Sequence, residues 1–336
     1  MNLEALIETY KQRGKASLKA YGVHHLSSSS VAHSLMDCSK KFVFKGLYTT
    51  PKVTLIMGTV FHEIVEDISH GIFKICPGIT NGTMDLDEIS NVYPDARDRV
   101  LSNYALDFHI LNKAELKYEE EVNSTRQLLM EGSLSQFRSE LMNVAETASK
   151  SVTLDDIKQL MEYPVLFSEF KIYYFPPEGI IPYIGFIDQI IIKDGQLVIG
   201  DLKTGFSKSP YIWSSWTTLF QLWLYSKALK QMGILDKVPE TEIVRMIVNT
   251  KTNIKKGKYE VIHERKTVNN IEQYDEQFNN VIKMAENMIK HNIDLCGTPT
   301  FGCKACDYFS VCDSFIVPEW KDVEKPKTEE VEADGN

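Results

Sequence analysis

Apolar residues recur at helical spacing between Thr54 and Phe73, in the segment TLIMGTVFHEIVEDISHGIF. Positions three and four apart lie on the same face of an α-helix, so this spacing predicts a helix with one buried stripe. The stripe consists of Val60, Phe61, Ile64, Val65 and Ile68.

Further along the chain the pattern changes to short runs rich in β-branched and aromatic residues. The segments 165–175, 183–192 and 197–203 are bounded by turn residues and predict three consecutive strands. The later pattern predicts a helix at 214–231, a strand at 242–250 that forms a hairpin with 259–268, and a helix at 271–291. Strands mixed with helices in this order indicate an α/β fold.

The same patterns divide the chain into four regions. Residues 1–53 predict an N-terminal helical segment, in which Ser27 to Ser30 offer N-cap oxygens to a helix that runs through Cys38. Residues 54–291 form the core, with a turn-rich linker at 78–95 and a helical insertion at about 96–160. A cysteine-containing segment, 292–318, precedes an acidic tail, 319–336, which is predicted to be disordered.

The formal net charge is -9, which argues against a uniformly basic surface for nucleic acid. The tail accounts for part of this charge, because it has seven acidic residues and three lysines. Lys255, Lys256 and Lys258 form a local basic cluster, and a solvated hairpin tip and a phosphate contact remain equally open for it.

Several function classes are disfavoured by what the sequence lacks. It has neither the apolar region of a signal peptide nor a run of about 18 apolar residues, so we expect a protein of the cytoplasm, bacterial or host, and no membrane partner. It has neither a GxxxxGK[ST] loop nor a GxGxxG motif, which disfavours a built-in ATP motor.

Three charges occupy the otherwise apolar strands. Asp188 is near the end of one strand, and Asp201 and Lys203 share a face near the end of the next. Buried carboxylates are costly unless they are paired or bind metal, and oxygen ligands favour Mg²⁺ or Mn²⁺. The other interpretation is that both carboxylates lie in water at strand ends, with Lys203 paired to one of them.

Other polar residues along the chain favour the metal interpretation. Glu169 is on the preceding predicted strand and His62 is on the predicted helix. Gln221 and Tyr225 are four residues apart and share a helix face. Each one alone is also typical of ordinary packing.

In this order, the motifs GxxFHE, GFID, GDLKTG and QLWLY resemble the RecB-like branch of the PD-(D/E)XK nucleases over roughly Gly58 to Tyr225. The resemblance implies a restriction-endonuclease-like αβββαβ core. It implies that His62, Asp188, Asp201 and the backbone carbonyl of Leu202 bind the metal. Lys203 would be the catalytic lysine, and Gln221 and Tyr225 would shape the site and contact substrate. Glu169 is the glutamate of the matching pattern, and the resemblance does not fix its role.

The cysteines suggest a second metal site. Cys303, Cys306 and Cys312 have the spacing C-x2-C-x5-C, and Cys38 lies about 265 residues before them. Four thiolates suit zinc or an iron–sulfur cluster, and the spacing alone does not separate the two. Cys296 competes for the fourth place, and Cys76 is expected to be an inert buried thiol.

The full cysteine pattern resembles the iron–sulfur nucleases, which include the AddAB-type helicase–nuclease B subunit and the CRISPR-associated RecB-like exonucleases. That resemblance implies a 4Fe-4S cluster on Cys38, Cys303, Cys306 and Cys312. The cluster would tie the N-terminal segment to the C-terminal segment and close a very long loop.

Taken together, the sequence predicts a Mg²⁺- or Mn²⁺-dependent deoxyribonuclease, an exonuclease on single-stranded DNA or DNA ends that uses metal-activated water. The alternative is a non-catalytic module that binds DNA ends or a partner on the same fold. A helicase, a CRISPR adaptation complex and viral replication proteins are the candidate partners besides DNA.

Overall fold

A computed structural model describes residues 25–31, 48–124, 127–129, 132–177, 181–205, 215–235, 239–249, 260–290 and 306. The predicted N-terminal helix, the lysine cluster at 255–258, the acidic tail and most of the cysteine segment lie outside these residues. Of the predicted helix through Cys38, only one turn is described, Ser28–Ser30, whose first N–H groups are capped by Ser27.

Seven α-helices of four or more residues fall within the described ranges. They are α1 (Val53–Ile75), α2 (Leu86–Leu101), α3 (Leu106–Val122), α4 (Leu134–Ser151), α5 (Leu154–Leu160), α6 (Trp216–Gln231) and α7 (Asp275–Lys290). The helix predicted from the Thr54–Phe73 pattern is confirmed as α1, and all five residues of its predicted stripe are buried. None of the helices in these ranges is long and apolar enough to cross a membrane.

The described strands form two sheets. The strands are β1 (Tyr48–Thr49), β2 (Gln127–Leu128), β3 (Val165–Tyr174), β4 (Tyr183–Lys193), β5 (Gln196–Gly205), β6 (Glu240–Asn249) and β7 (Glu260–Val268). The main sheet has the order β3-β4-β5-β6-β7, and only the β5–β6 pair is parallel. Helix α6 lies in the β5–β6 connection, because parallel neighbours need a crossover. The strands predicted from the sequence are all present.

Alternation along the strands places apolar residues on both faces of the main sheet. Val198 belongs to the core on the α1 side, and Ile199 belongs to the core on the α6 side. The same holds for Val244 and Ile243 on β6. The result is a mixed α/β architecture with helices packed on both faces of the sheet, consistent with the expected nuclease core.

One predicted element is wrong. Residues 78–95 were expected to be a turn-rich linker, but helix α2 begins at Leu86 and continues past Pro94. The Asp85 side chain accepts hydrogen bonds from the N–H groups of Asp87 and Glu88, and this cap outweighs the helix-breaking tendency of Pro94. The helical insertion therefore begins about ten residues earlier than the composition indicates.

Candidate metal centre and active site

The candidate site lies where strands β4 and β5 separate. Their antiparallel pairing runs from the turn to Gln189 and Gly200, and Asp188 and Asp201 are the next residue on each strand. Beyond this point β5 stays paired with β6, but on its β4 side Leu202 donates its N–H to the Asp188 side chain, at 2.7 Å from Oδ2, instead of to the β4 backbone. The fork between the strands makes room for both carboxylates.

Asp201 is the most buried charge at the site, with no exposed side-chain surface. Its Oδ1 accepts a hydrogen bond from Lys203 Nζ at 2.7 Å, but its buried Oδ2 has no hydrogen-bond partner among the described residues. Burial raises the pKa of the Asp201 carboxyl, the Lys203 ammonium lowers it, and the nearby Asp188 raises it again. A buried, unsatisfied carboxylate oxygen is costly, so an additional partner such as a cation would stabilise it.

His62 approaches the fork from helix α1, with its Nδ1 3.7 Å from Asp188 Oδ1. The helix comes close to β5 at Gly58, where a Cβ atom would lie 3.2 Å from Thr204 Oγ1. The same threonine hydroxyl donates to the Gly58 carbonyl at 3.2 Å. Glycine at this position therefore allows α1 to bring His62 to the carboxylates.

Glu169 joins His62 and Asp188 in a group whose ligand atoms all lie within 4.8 Å of one another. It is on β3 at a positive φ of 49°, which is unusual for a residue other than glycine. Burial raises the pKa of its carboxyl to about 7, with further contributions from Asp188, Glu66 and Glu63. The arrangement gathers negative charge that a cation would neutralise.

The predicted side-chain ligands and the observed group share His62 and Asp188 and differ at two residues. The resemblance implied Asp201 in the ligand set and did not fix the role of Glu169, whereas the compact group in the structure contains Glu169 and lacks Asp201, whose metal-binding role stays a prediction. The reason is local, because the Asp201 carboxylate is turned toward Lys203. Residues such as Glu66, which lines the cleft one turn after His62, were also missed. Its i, i+4 spacing from His62 was the available signal.

Lys203, Gln221 and Tyr225 form a continuous chain on the α6 side. Lys203 Nζ is 3.4 Å from Gln221 Oε1, and Gln221 Nε2 donates to Tyr225 Oη at 2.8 Å. Burial lowers the pKa of the Lys203 ammonium, but Asp201 and Asp188 raise it more, so it remains charged. Burial also raises the pKa of Tyr225, which keeps the phenol protonated.

The carboxylates open into a cleft of about 500 Å³. Its floor is formed by the fork, and its acidic wall includes Glu63 and Glu66 from α1. Glu63 is paired with Lys113 and Lys117 of α3, which ties this wall to the helical insertion. The cleft is open to solvent and offers oxygen and nitrogen ligands on one side and an ammonium on the other.

The cysteine prediction is largely outside the described residues. Of the four predicted cluster ligands only Cys306 is described, and it is half-buried. Cys76, expected to be a buried thiol, is also half-buried and packs against the core beneath α1.

The comparison with protein families identifies the class of the protein. The PD-(D/E)XK nuclease superfamily matches residues 26–313, which is most of the chain. The chain belongs to the PD-(D/E)XK nuclease superfamily. Membership implies a metal-dependent nuclease that hydrolyses phosphodiester bonds and binds nucleic acid.

Other comparisons add little. A solved structure, described as the crystal structure of SSO0001, is 15% identical and is matched over 61% of this chain and 94% of its own, with a TM-score of 0.29. A likeness at that level supports no argument here. No curated protein matches the chain.

A glycine on β4 offers a test of how the site is packed. A Cβ atom at Gly185 would lie 3.0 Å from Tyr225 Cε1, whereas a Cβ atom at Gly205 on β5 would meet no atom of the described residues within 4 Å. We expect Gly185→Val to lower the free energy of unfolding by about 1–3 kcal/mol through overpacking, and Gly205→Val to change it much less. Guanidinium chloride denaturation measures both. If both substitutions lowered the free energy of unfolding equally, the close approach of Tyr225 to position 185 would not be what makes glycine necessary there.

Proposed function

We propose that this protein is a Mg²⁺- or Mn²⁺-dependent deoxyribonuclease that acts as an exonuclease on single-stranded DNA or DNA ends. The observation that carries the proposal is the buried Oδ2 of Asp201, which has no hydrogen-bond partner in the described part of the chain and lies next to Lys203 at the strand fork. A protein of this fold that catalysed no reaction would be more stable without this buried carboxylate. The non-catalytic binding module is disfavoured for the same reason.

The donor set fits a hard divalent cation. Carboxylate oxygens from Asp188 and Asp201, the Leu202 carbonyl and one imidazole nitrogen from His62 would hold it, and Glu169 adds a further carboxylate. Oxygen-rich sets of this kind suit Mg²⁺ and Mn²⁺, whereas structural zinc sites are richer in sulfur and nitrogen.

Each polar residue then has a distinct task. A bound divalent cation supplies positive charge at the scissile phosphate and lowers the pKa of a bound water. Lys203 holds its proton and presents Nζ as a fixed positive donor to the charge that develops on the phosphate oxygens. Asp201 and Gln221 orient that ammonium from two sides, and Tyr225 orients Gln221.

A nuclease assay tests the function directly. End-labelled single-stranded and blunt double-stranded DNA would be incubated with the purified protein in Mg²⁺, in Mn²⁺ and in EDTA. We expect metal-dependent release of label in short products from the single strand, because an exonuclease starts at an end. Cleavage of circular single-stranded DNA would contradict the exonuclease assignment, and no cleavage with either metal would contradict the enzyme.

We also propose that Cys38, Cys303, Cys306 and Cys312 hold a 4Fe-4S cluster in the segments outside the nuclease core. The spacing of the cysteines and their resemblance to the iron–sulfur nucleases support this proposal, with zinc as the alternative. The role we assign is structural, since the cluster would join segments that flank the core.

Substitution of Cys306 tests the cluster. Anaerobically purified wild-type protein should be brown and contain iron, whereas Cys306→Ser should lose colour and iron and unfold at a lower temperature. Cys76→Ser is the matched control, because Cys76 is also half-buried but is not a predicted ligand. Colourless wild-type protein that contains zinc would contradict the iron–sulfur assignment. Iron loss without any loss of thermal stability would contradict the structural role.

A further inference from the structure

Beyond the candidate metal centre, the hairpin of β3 and β4 has an exposed aromatic residue, Phe186. It also has a lysine, Lys171, without an ion-pair partner among the described residues. Phe186 is two residues before Asp188 on β4, so both side chains point to the same face of the sheet. The Phe186 side chain is 48% exposed and lines the mouth of the cleft that contains Asp188 and Glu169. Packing in the protein core therefore does not account for a phenylalanine at this position.

Lys171 lies directly across from Phe186 in the register of β3 and β4. Its ammonium is 5.9 Å from the centre of the Phe186 ring and 5.2 Å from the centre of the Tyr173 ring. No carboxylate in the described part of the chain forms an ion pair with Lys171. The other lysines around the cleft are paired, Lys203 with Asp201 and both Lys113 and Lys117 with Glu63.

The charge distribution makes this cation significant. The wall of the cleft is acidic, so a polyanionic strand would be held mainly where a metal would bind and near Lys171, a cation without an ion-pair partner among the described residues. Lys171 is two residues from Glu169 on β3, and its partner Phe186 is two residues from Asp188 on β4, a step of about 7 Å along a strand. That step is comparable to the distance between successive phosphates in an extended single strand.

We infer that Phe186 and Lys171 form the binding subsite for the nucleotide next to the scissile phosphate, with Phe186 stacking on an unpaired base and Lys171 contacting a phosphate. Tyr173 is two residues further along β3, and its ring also lies against the Lys171 ammonium. Stacking on an exposed ring requires a base that is free of its duplex neighbours, so the subsite selects single-stranded or frayed DNA. This inference rests on the proposed nuclease function and assigns its strand preference to particular side chains.

Binding measurements on surface variants test the inference. The probe is a fluorescein-labelled oligo-dT, with Ca²⁺ in place of Mg²⁺ and the probe checked by gel for integrity, and a labelled blunt duplex is measured in parallel. Loss of one stacked base should raise the Kd of Phe186→Ala for the single strand about tenfold, whereas Phe186→Trp should stay within about twofold. The duplex Kd should change much less. Phe108→Ala is the matched control, because Phe108 is 60% exposed on α3 away from the cleft.

Substitution of Lys171 should change the salt dependence of DNA binding. Replacing it by methionine keeps the aliphatic stem and removes one phosphate contact. The slope of log Kd against log salt concentration for the single strand should then fall in magnitude by about 0.7. An unchanged slope would remove Lys171 from the subsite.

A crosslinking experiment on the wild-type protein avoids any effect of substitution on folding. Irradiation of the complex with bromodeoxyuridine-containing single strands should join the DNA to the peptide that contains Phe186 or to the peptide that contains Tyr173. Crosslinks confined to other peptides would overturn the inference.

The outcomes separate this inference from the function on which it rests. If wild-type protein cleaves DNA and Phe186→Ala binds the single strand as Phe108→Ala does, the subsite is wrong and the nuclease stands. If the wild type binds single strands through Phe186 but cleaves nothing in Mg²⁺ or Mn²⁺, the subsite stands and the enzyme is wrong. If the wild type does not bind DNA, both are overturned.

Discussion

Asp201→Asn is expected to lower the rate of DNA cleavage by about 1,000-fold while leaving the metal-free fold intact. The loss follows because the substitution removes a charged ligand and the carboxylate that orients Lys203. The fold should tolerate the change, because burial raises the pKa of Asp201 and asparagine resembles its protonated form. The free energy of unfolding without metal should therefore change little, because the asparagine side-chain oxygen can still accept the Lys203 hydrogen bond and the Lys203 side chain is 23% exposed, so that water can solvate its charge.

Metal-dependent stability gives a readout that is independent of activity. At a concentration about 100 times its Kd, Mn²⁺ should stabilise the wild type by about 2.7 kcal/mol. Asp201→Asn should lose most of this stabilisation. Asp194→Asn is the matched control, because Asp194 lies in the β4–β5 turn at a φ of 51°, a conformation that asparagine adopts readily. If Asp201→Asn keeps the full metal response, Asp201 is not a ligand.

Lys203→Met is expected to lower kcat by about 100- to 1,000-fold with little change in KM. The ammonium acts on charge that develops only in the transition state, so its loss should spare substrate binding. Unlike Asp201→Asn, this substitution should destabilise the metal-free protein, because a buried carboxylate that loses its partner costs about 3–5 kcal/mol. Added Mn²⁺ should still stabilise the variant, since the proposed ligands remain.

Denaturation with and without Mn²⁺, combined with steady-state kinetics, separates these effects. Lys150→Met is the matched control, because the Lys150 side chain is 71% exposed on α4. Equal kcat values for Lys203→Met and Lys150→Met would mean that Lys203 has no catalytic task. Loss of the Mn²⁺ response in Lys203→Met would mean that it acts by maintaining the ligand set instead.

Much of the fold could be predicted from local patterns. The 3.6-residue period defined α1, and the strand patterns defined β3 to β7, because each depends on neighbours close in sequence. The prediction failed at α2, because the linker expected at 78–95 contains the first ten residues of a helix that is capped by Asp85. The division of the chain into a core and flanking segments stays a prediction.

The sequence alone determined that Asp188, Asp201 and Lys203 interrupt the apolar pattern of two consecutive strands and in what order the motifs follow one another. It also determined that Asp201 and Lys203 share a face, because alternation is a property of any strand.

Only the tertiary structure decided how these residues meet. Three features depend on the register between strands. They are the fork after Gln189 and Gly200, the position of Glu169 with its positive φ in the ligand group, and the pairing of Lys171 with Phe186. Register results from contacts between segments distant in the chain, so one-dimensional spacing does not contain it. The unpartnered oxygen of Asp201 has the same origin, because burial and hydrogen-bond partners exist only once the chain has folded.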